Sequence, residues 1–166
     1  MRRRSLALLT CVVLTILCAG SAQAPSSLVN KPAPAFVRSD LGGRQMELNS
    51  YRGKVVLLNF WATWCAPCQI ELPRFEAWQK RYAAEGLQVL AVSMDDEDAP
   101  VRRTVRRLHL DFPVVMGDAK LAEAYGGVLG LPITFLIDRN GIVVARIKGE
   151  TDLHKLESRV KALVTQ

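Results

Sequence analysis

The sequence predicts an α/β sandwich in which a central mixed sheet is flanked by helices and preceded by an N-terminal hairpin. Three observations lead there. Short apolar runs of strand type alternate with segments of helical periodicity from residue 54 onward. The alternation ends in a two-strand hairpin around Asp138-Arg139-Asn140-Gly141 and one closing helix. A separate short hairpin, with Gly42-Gly43 at its turn, stands ahead of the first long strand.

The elements follow in chain order. Arg2, Arg3 and Arg4 form a positive start, Leu6 to Leu17 an apolar core and Ala22-Gln23-Ala24 a small-residue cleavage pattern, so residues 1–24 are expected to be a targeting segment. The uncharged stretch Ser5 to Ala24 is also just long enough to serve as a retained anchor, so cleaved signal and membrane anchor both stay open. Either way the body of the protein is expected in the periplasm, soluble or held at the inner membrane. Residues 25–34, rich in Pro, Ser and Ala, are expected as a linker, and residues 35–166 as one domain.

In that domain Ala35-Phe36-Val37 is expected to pair with Gln45-Met46-Glu47-Leu48. Lys54 to Phe60 reads as a buried strand. A helix should run from Pro67 to about Glu85, with Pro67 in its first turn, where a missing N–H costs little, and Gly86 ending it. Pro73 inside that helix removes a bond to the Gln69 carbonyl and should kink it. Leu87 to Val92 is a second core strand, after which Asp95, Asp96, Glu97 and Asp98 are expected to open a helix, because acids suit its N-terminus. That helix carries Val101, Val105 and Leu108 on one face. Phe112 to Met116 is a short strand, Lys120 to Tyr125 a short helix, and Gly126-Gly127 a break. Thr134 to Ile137 and Ile142 to Ile147 form the late hairpin, and Thr151 to Val164 the closing helix, with Leu153, Leu156, Val160 and Leu163 facing inward.

Charge and cysteine usage narrow the function. The formal charge of +6 comes from 22 Lys+Arg against 16 Asp+Glu. Setting aside Arg2–Arg4 leaves 19 cations, an excess of three, which gives no reason to expect nucleic acid. Cys11 and Cys18 fall in the targeting segment, so the body holds only Cys65 and Cys68. A pair two residues apart closes too small a loop to stabilise the chain much by entropy. Zinc needs four ligands, and beyond this pair the body offers only His109 and His154. The pair is therefore expected to react, as a redox disulfide that opens and closes. It lies where a strand meets the N-terminus of a helix, whose free N–H groups favour a thiolate at Cys65. No metal or cofactor is required.

The run Phe60-Trp61-Ala62-Thr63-Trp64-Cys65-Ala66-Pro67-Cys68, followed by Glu71-Leu72-Pro73 and later by Gly130-Leu131-Pro132-Ile133-Thr134-Phe135, resembles the thioredoxin superfamily. More closely it resembles the TlpA/ResA-like branch of exported thiol-disulfide oxidoreductases. Lys31-Pro32-Ala33-Pro34-Ala35-Phe36 and Tyr51-Arg52-Gly53-Lys54 extend the match over nearly all of the chain from Lys31. The resemblance implies a thioredoxin-like sandwich and a set of roles. Cys65 would be the exposed nucleophile and Cys68 the shielded resolving thiol. Pro132 would follow a cis peptide bond and face the site, with the Leu131 backbone pairing with an incoming peptide. Trp64, next to Cys65, is expected to shield the site or touch the client, with simple packing the alternative. Glu71 would be the acid near the thiols. Asn59 stands where thioredoxin carries a buried aspartate, so Glu71 is the better acceptor for the Cys68 proton. The expected partners are client proteins with cysteine pairs, among them apocytochrome c during cytochrome c maturation, and a membrane thiol-electron donor. A monomer is expected. A disulfide oxidase or isomerase, a peroxiredoxin-like peroxidase suggested faintly by Thr63-Trp64-Cys65, and a copper-handling relative using His154 remain the alternatives.

Overall fold

Strand β3 (Val55–Trp61) is buried along its whole length, as an interior strand of a sheet covered on both faces can be. The computed structural model describes residues 28–166. The targeting segment, with Cys11 and Cys18, lies outside the described residues. Around β3 the sheet runs β5-β4-β3-β6-β7, with β4 (Leu87–Ser93), β5 (Val114–Met116), β6 (Ile133–Ile137) and β7 (Val143–Lys148). β3 is parallel to β4 and antiparallel to β6, so the sheet is mixed. The early hairpin, β1 (Val37–Ser39) and β2 (Gln45–Glu47), forms its own two-stranded sheet.

The pleat of β3 sorts its side chains. Val55, Leu57 and Trp61 face a cluster with Phe75, Trp78 and Tyr82 of helix α1 (Ala66–Tyr82) and Leu156, Val160 and Val164 of helix α4 (Leu153–Val164). Val101 of helix α2 (Asp98–Arg107) joins that cluster. Val56, Leu58 and Phe60 face the other, with Leu121 of helix α3 (Ala119–Ala124), Tyr125, Phe135 and the hairpin residues Phe36 and Met46. In α4 the buried positions are Leu156, Val160 and Val164, while Leu153 and Leu163 pack half-buried at the margin.

Several expected boundaries shift, among them residues 35–37 to Val37–Ser39 and residues 112–116 to Val114–Met116, and two shifts have evident local reasons. The helix that carries Cys68 stops at Tyr82 rather than near Glu85, because Gly86, at φ 96°, turns the chain back into β4. The acids after β4 do not all open α2: the helix begins at Asp98, Glu97 occupies the cap position without a side-chain bond, and Asp95 is committed elsewhere. Residues 28–34, read from composition as lead-in, are held against the late hairpin. The Asn30 N–H donates to the Val143 carbonyl, the Val143 N–H to the Lys31 carbonyl and the Ala33 N–H to the Gly141 carbonyl, at 2.8 to 2.9 Å.

At the end of the sheet away from the cysteines, Arg139 ties three segments together. Its guanidinium donates to the carbonyls of Gly53 at 2.8 Å, Glu85 at 3.0 Å and Val164 at 2.9 Å. Arg139→Ala strips these carbonyls of a charged donor and is expected to cost about 2 kcal/mol. The check is a lower urea midpoint at unchanged slope.

Candidate active site

The end of β3 and the start of α1 create the site. Trp61 ends the strand, Ala62 to Trp64 form a short loop, and Cys65 takes the N-cap position in an extended conformation. Its Sγ accepts the Cys68 backbone N–H at 3.3 Å. Pro67, with no N–H to leave unsatisfied, fits the first turn. Cys65 and Cys68 are joined in a disulfide, Cα to Cα 5.3 Å. A sulfur in a cap position faces the positive end of the helix, which lowers the cost of ionising it.

Exposure departs from expectation. Cys65, expected to be exposed, is 5 % accessible, and Cys68 is 0 %. The disulfide is nearly covered because Cys65 is drawn into the cap and packs against the apolar cluster under the sheet. Trp64, immediately before it, is 70 % accessible. Its indole packs into no core and stands free at the mouth of the site, whereas Trp61 is fully buried.

Glu71 lies one turn beyond Cys68 and is 2 % accessible. Its Oε1 accepts the Thr151 N–H at 3.2 Å, and its Oε2 has no partner. Burial pushes its pKa from 4.5 up to about 7; the Thr151 N–H pulls the other way, and the charge of Glu150 adds to the rise. An acid placed merely to suit the helix dipole would sit in the first turn and be lowered, so that simpler account does not fit Glu71.

The first strand pair beyond β3 supplies the opposite wall. Phe60 is in register with Ile133, which sets Leu131 and Pro132 beside the end of β3. The Leu131–Pro132 peptide is cis. The Pro132 carbonyl accepts the Gly149 N–H at 2.8 Å, while Leu131 makes no backbone hydrogen bond among the described residues. Asn59 is 1 % accessible and spends its Nδ2 on Thr134 Oγ1 at 2.9 Å, across the β3–β6 register. It holds the strands together and offers no base.

Several residues at the site escaped the sequence. Asp95, read as a helix-opening acid, accepts the Thr63 N–H at 2.9 Å and the Thr63 hydroxyl at 2.5 Å. Thr151 and Glu150 act on Glu71 from the far end of the chain. Ile70 and Leu129, 64 % and 78 % accessible, add apolar surface close in sequence to Cys68 and Leu131. Among the described residues no group of three His, Cys, Asp or Glu side chains is placed to hold a metal ion, and His109 and His154 are exposed.

With this geometry in view, the comparisons are specific. The chain is 39 % identical over 136 residues to the thiol-disulfide oxidoreductase ResA of Bacillus thuringiensis subsp. konkukian, covering 81 % of this chain and 78 % of that protein. The chain belongs to the ResA-type thiol-disulfide oxidoreductases. ResA of Bacillus subtilis matches over 96 % of both chains at 33 % identity. The model of the broader AhpC/TSA family matches residues 29–146. Among solved structures, a Chlorobium tepidum protein named as a thiol:disulfide interchange protein DsbE superposes with a TM-score of 0.76 at 33 % identity, covering 82 % of this chain and 97 % of that one. A secreted thiol-disulfide isomerase from Corynebacterium glutamicum gives 0.73 at 26 % identity, covering 81 % and 86 %. The ResA-type chain thus has the thioredoxin-like sandwich its motifs resemble, and it is an oxidoreductase with a Cys65–Cys68 pair.

Proposed function

We propose that the protein is an exported disulfide reductase for client proteins, with apocytochrome c the leading client class. The Cys65 thiolate attacks a client disulfide, forms a mixed disulfide and releases one client thiolate. Cys68 passes its proton to Glu71 and attacks the Cys65 sulfur. The Cys65–Cys68 disulfide forms as the second client thiolate leaves, so two electrons reach the client. A membrane thiol donor then reduces the pair again. Leu131 offers the client an unpaired backbone edge beside Pro132, and Trp64 an apolar contact.

One observation carries the direction. A strongly oxidising dithiol is one whose reduced form is stabilised, usually by positive groups at the sulfur. Among the described residues the only hydrogen-bond donor to Cys65 Sγ is one backbone N–H, and the titratable side chain one turn beyond Cys68 is an acid. With one backbone N–H as its donor, the reduced form is stabilised less than one held by positive groups, so the pair is expected to give its electrons away. Potentials on this fold run from about −270 to about −120 mV, and equilibration with a dithiol buffer is expected to place this couple near the low end. A value near the high end would sink the reductase reading in favour of an oxidase.

Export rests on residues 1–24, and mass spectrometry of the protein recovered from its host distinguishes a cleaved signal from a retained anchor. No helix among the described residues is long and apolar enough to cross a membrane. A peroxidase, suggested by the AhpC/TSA description, fits less well. The Thr63 hydroxyl, which such chemistry would aim at the peroxide, donates instead to Asp95. Peroxide consumption surviving in Cys68→Ser would reverse that preference.

A further inference from the structure

The loop ahead of Cys65 is held more tightly than chain continuity requires. Thr63 has three polar groups, and all three are bonded. Its N–H and hydroxyl donate to the two oxygens of Asp95, at 2.9 and 2.5 Å. Its carbonyl accepts the Gln69 side-chain amide at 2.6 Å, and Gln69 in turn accepts from Arg107 at 2.5 Å. Asp95 is itself fixed by the Ser93 hydroxyl, which donates to it at 2.7 Å. Two residues back, the Trp61 carbonyl accepts the Met94 N–H at 2.8 Å. The turn from Ser93 to Asp95 therefore grips the chain from Trp61 to Thr63, while Gln69 of α1 and Arg107 of α2 close the other side.

This grip has an evident object. Between Thr63 and Cys65 lies only Trp64, whose side chain is in solvent and anchors nothing. The Cys65 sulfur meets the Cys68 N–H at 3.3 Å, well within reach for a sulfur acceptor. In the oxidised protein the disulfide itself enforces that approach. Once it opens, the covalent restraint is gone, and the sulfur is kept at the helix terminus by the loop together with the Gln69 N–H, which donates to the Cys65 carbonyl at 3.3 Å. We propose that Asp95, with Ser93, Gln69 and Arg107, is a positioning clamp for the nucleophile. Through Thr63 it keeps the Cys65 sulfur under the Cys68 N–H in the reduced protein. This rests on Cys65 being the attacking thiol, as proposed above, and assigns to these four side chains an effect on its ionisation without contact with the client.

The sign of the effect separates the clamp from simpler accounts. Asp95 is an acid, and a negative charge near a thiol disfavours the thiolate. If Asp95 acted through its charge alone, Asp95→Ala would lower the pH at which Cys65 ionises. If it only braced the fold, the variant would melt earlier and leave that pH unchanged. As a clamp its removal lets the sulfur drift from the helix terminus, and the midpoint rises.

The measurement is iodoacetamide alkylation of Cys65 against pH in the reduced protein, with Cys68→Ala as the background. Thr63→Val and Asp95→Ala are each expected to raise the midpoint by about one unit, cutting the alkylation rate about tenfold below it. Thr63→Ser, which keeps the hydroxyl, is expected to restore the parent curve. A midpoint that stays or falls in a folded Thr63→Val protein overturns the proposal, and so does failure of Thr63→Ser to restore it. Should Asp95→Ala not fold, Asp95→Asn, which keeps one acceptor, gives a smaller rise in the same direction. The alkylation curve does not depend on which way electrons flow, so a wrong reductase assignment would leave this result standing. Conversely, if Cys65 alkylates no faster than an unperturbed thiol, the nucleophile assignment itself fails.

Discussion

Cys68→Ser is expected to lower steady-state client reduction by about a thousandfold or more, and to leave Cys65 bound to client as a stable mixed disulfide. The hydroxyl of serine cannot attack the Cys65 sulfur, so the first step proceeds and the second does not. Cys65→Ser is expected to abolish reduction equally but to trap nothing, since Cys68 is 0 % accessible and cannot meet a client disulfide. Non-reducing electrophoresis of the two variants, after incubation with a disulfide-bonded client, reads the difference directly. Equal trapping by both variants would overturn the division of roles. Because residues 25–166 hold no other cysteine, every adduct on that body in Cys68→Ser maps to one sulfur. The same variant captures clients from the exported compartment, and cysteine-bearing apocytochromes among them would support the proposed client class.

Glu71→Gln is expected to slow decay of the mixed disulfide about a hundredfold near neutral pH. Burial raises the Glu71 pKa to about 7, so the carboxylate is available as a proton acceptor mainly above that pH. In the parent protein the resolving step should accelerate as pH rises through about 7, and Glu71→Gln should lose that inflection while keeping the Cys65 alkylation curve. An unchanged inflection would remove Glu71 from the mechanism. A second consequence concerns stability. The folded pKa lies above the unfolded one, so the folded state holds the proton more tightly between about 4.5 and about 7. The stability tied to that proton is fully present below this window and is lost as pH rises through it. Glu71→Gln, which stays neutral, should be the more stable protein at pH 8, by about 1–2 kcal/mol. Urea melts of the oxidised proteins test this with no thiol titrating.

The fold was legible because its signals are periodic. Val55 to Phe60 and Leu87 to Val92 are apolar runs of strand length between turn residues, and they form the middle strand of the sheet and its parallel neighbour. The dithiol was legible because it combines a spacing, a preceding strand and a following helix. What could not be read were contacts between distant segments. Asp95 follows a strand and precedes a helix, which from sequence is a helix-opening acid. Only the pairing of Trp61 with Ser93 across β3 and β4 turns it toward Thr63. Thr151 is 80 residues from Glu71, and a backbone N–H carries no side-chain signature at all. The near-complete cover over Cys65 was equally hidden, since it follows from a capping geometry and not from composition. Residues 28–34 looked like a linker because Pro, Ser and Ala report flexibility on average, and their bonds to the late hairpin are backbone bonds that any residue could make.

The sulfur at the cap of α1 gives the helix a terminus whose strength changes through each turnover. Most helices end on a serine or aspartate that stays the same from folding to degradation. Here, in the proposed mechanism, the acceptor of the Cys68 N–H is the atom that attacks the client. As a thiolate it is a charged acceptor, the strongest form it takes. Bonded to Cys68 or to a client cysteine it is a neutral disulfide sulfur, a weak acceptor. The first turn of α1 is thus best anchored when the protein carries its electrons and loosest while a client is attached. Cys68, whose own N–H makes that bond, gains freedom to swing toward Cys65 at the moment its attack is required.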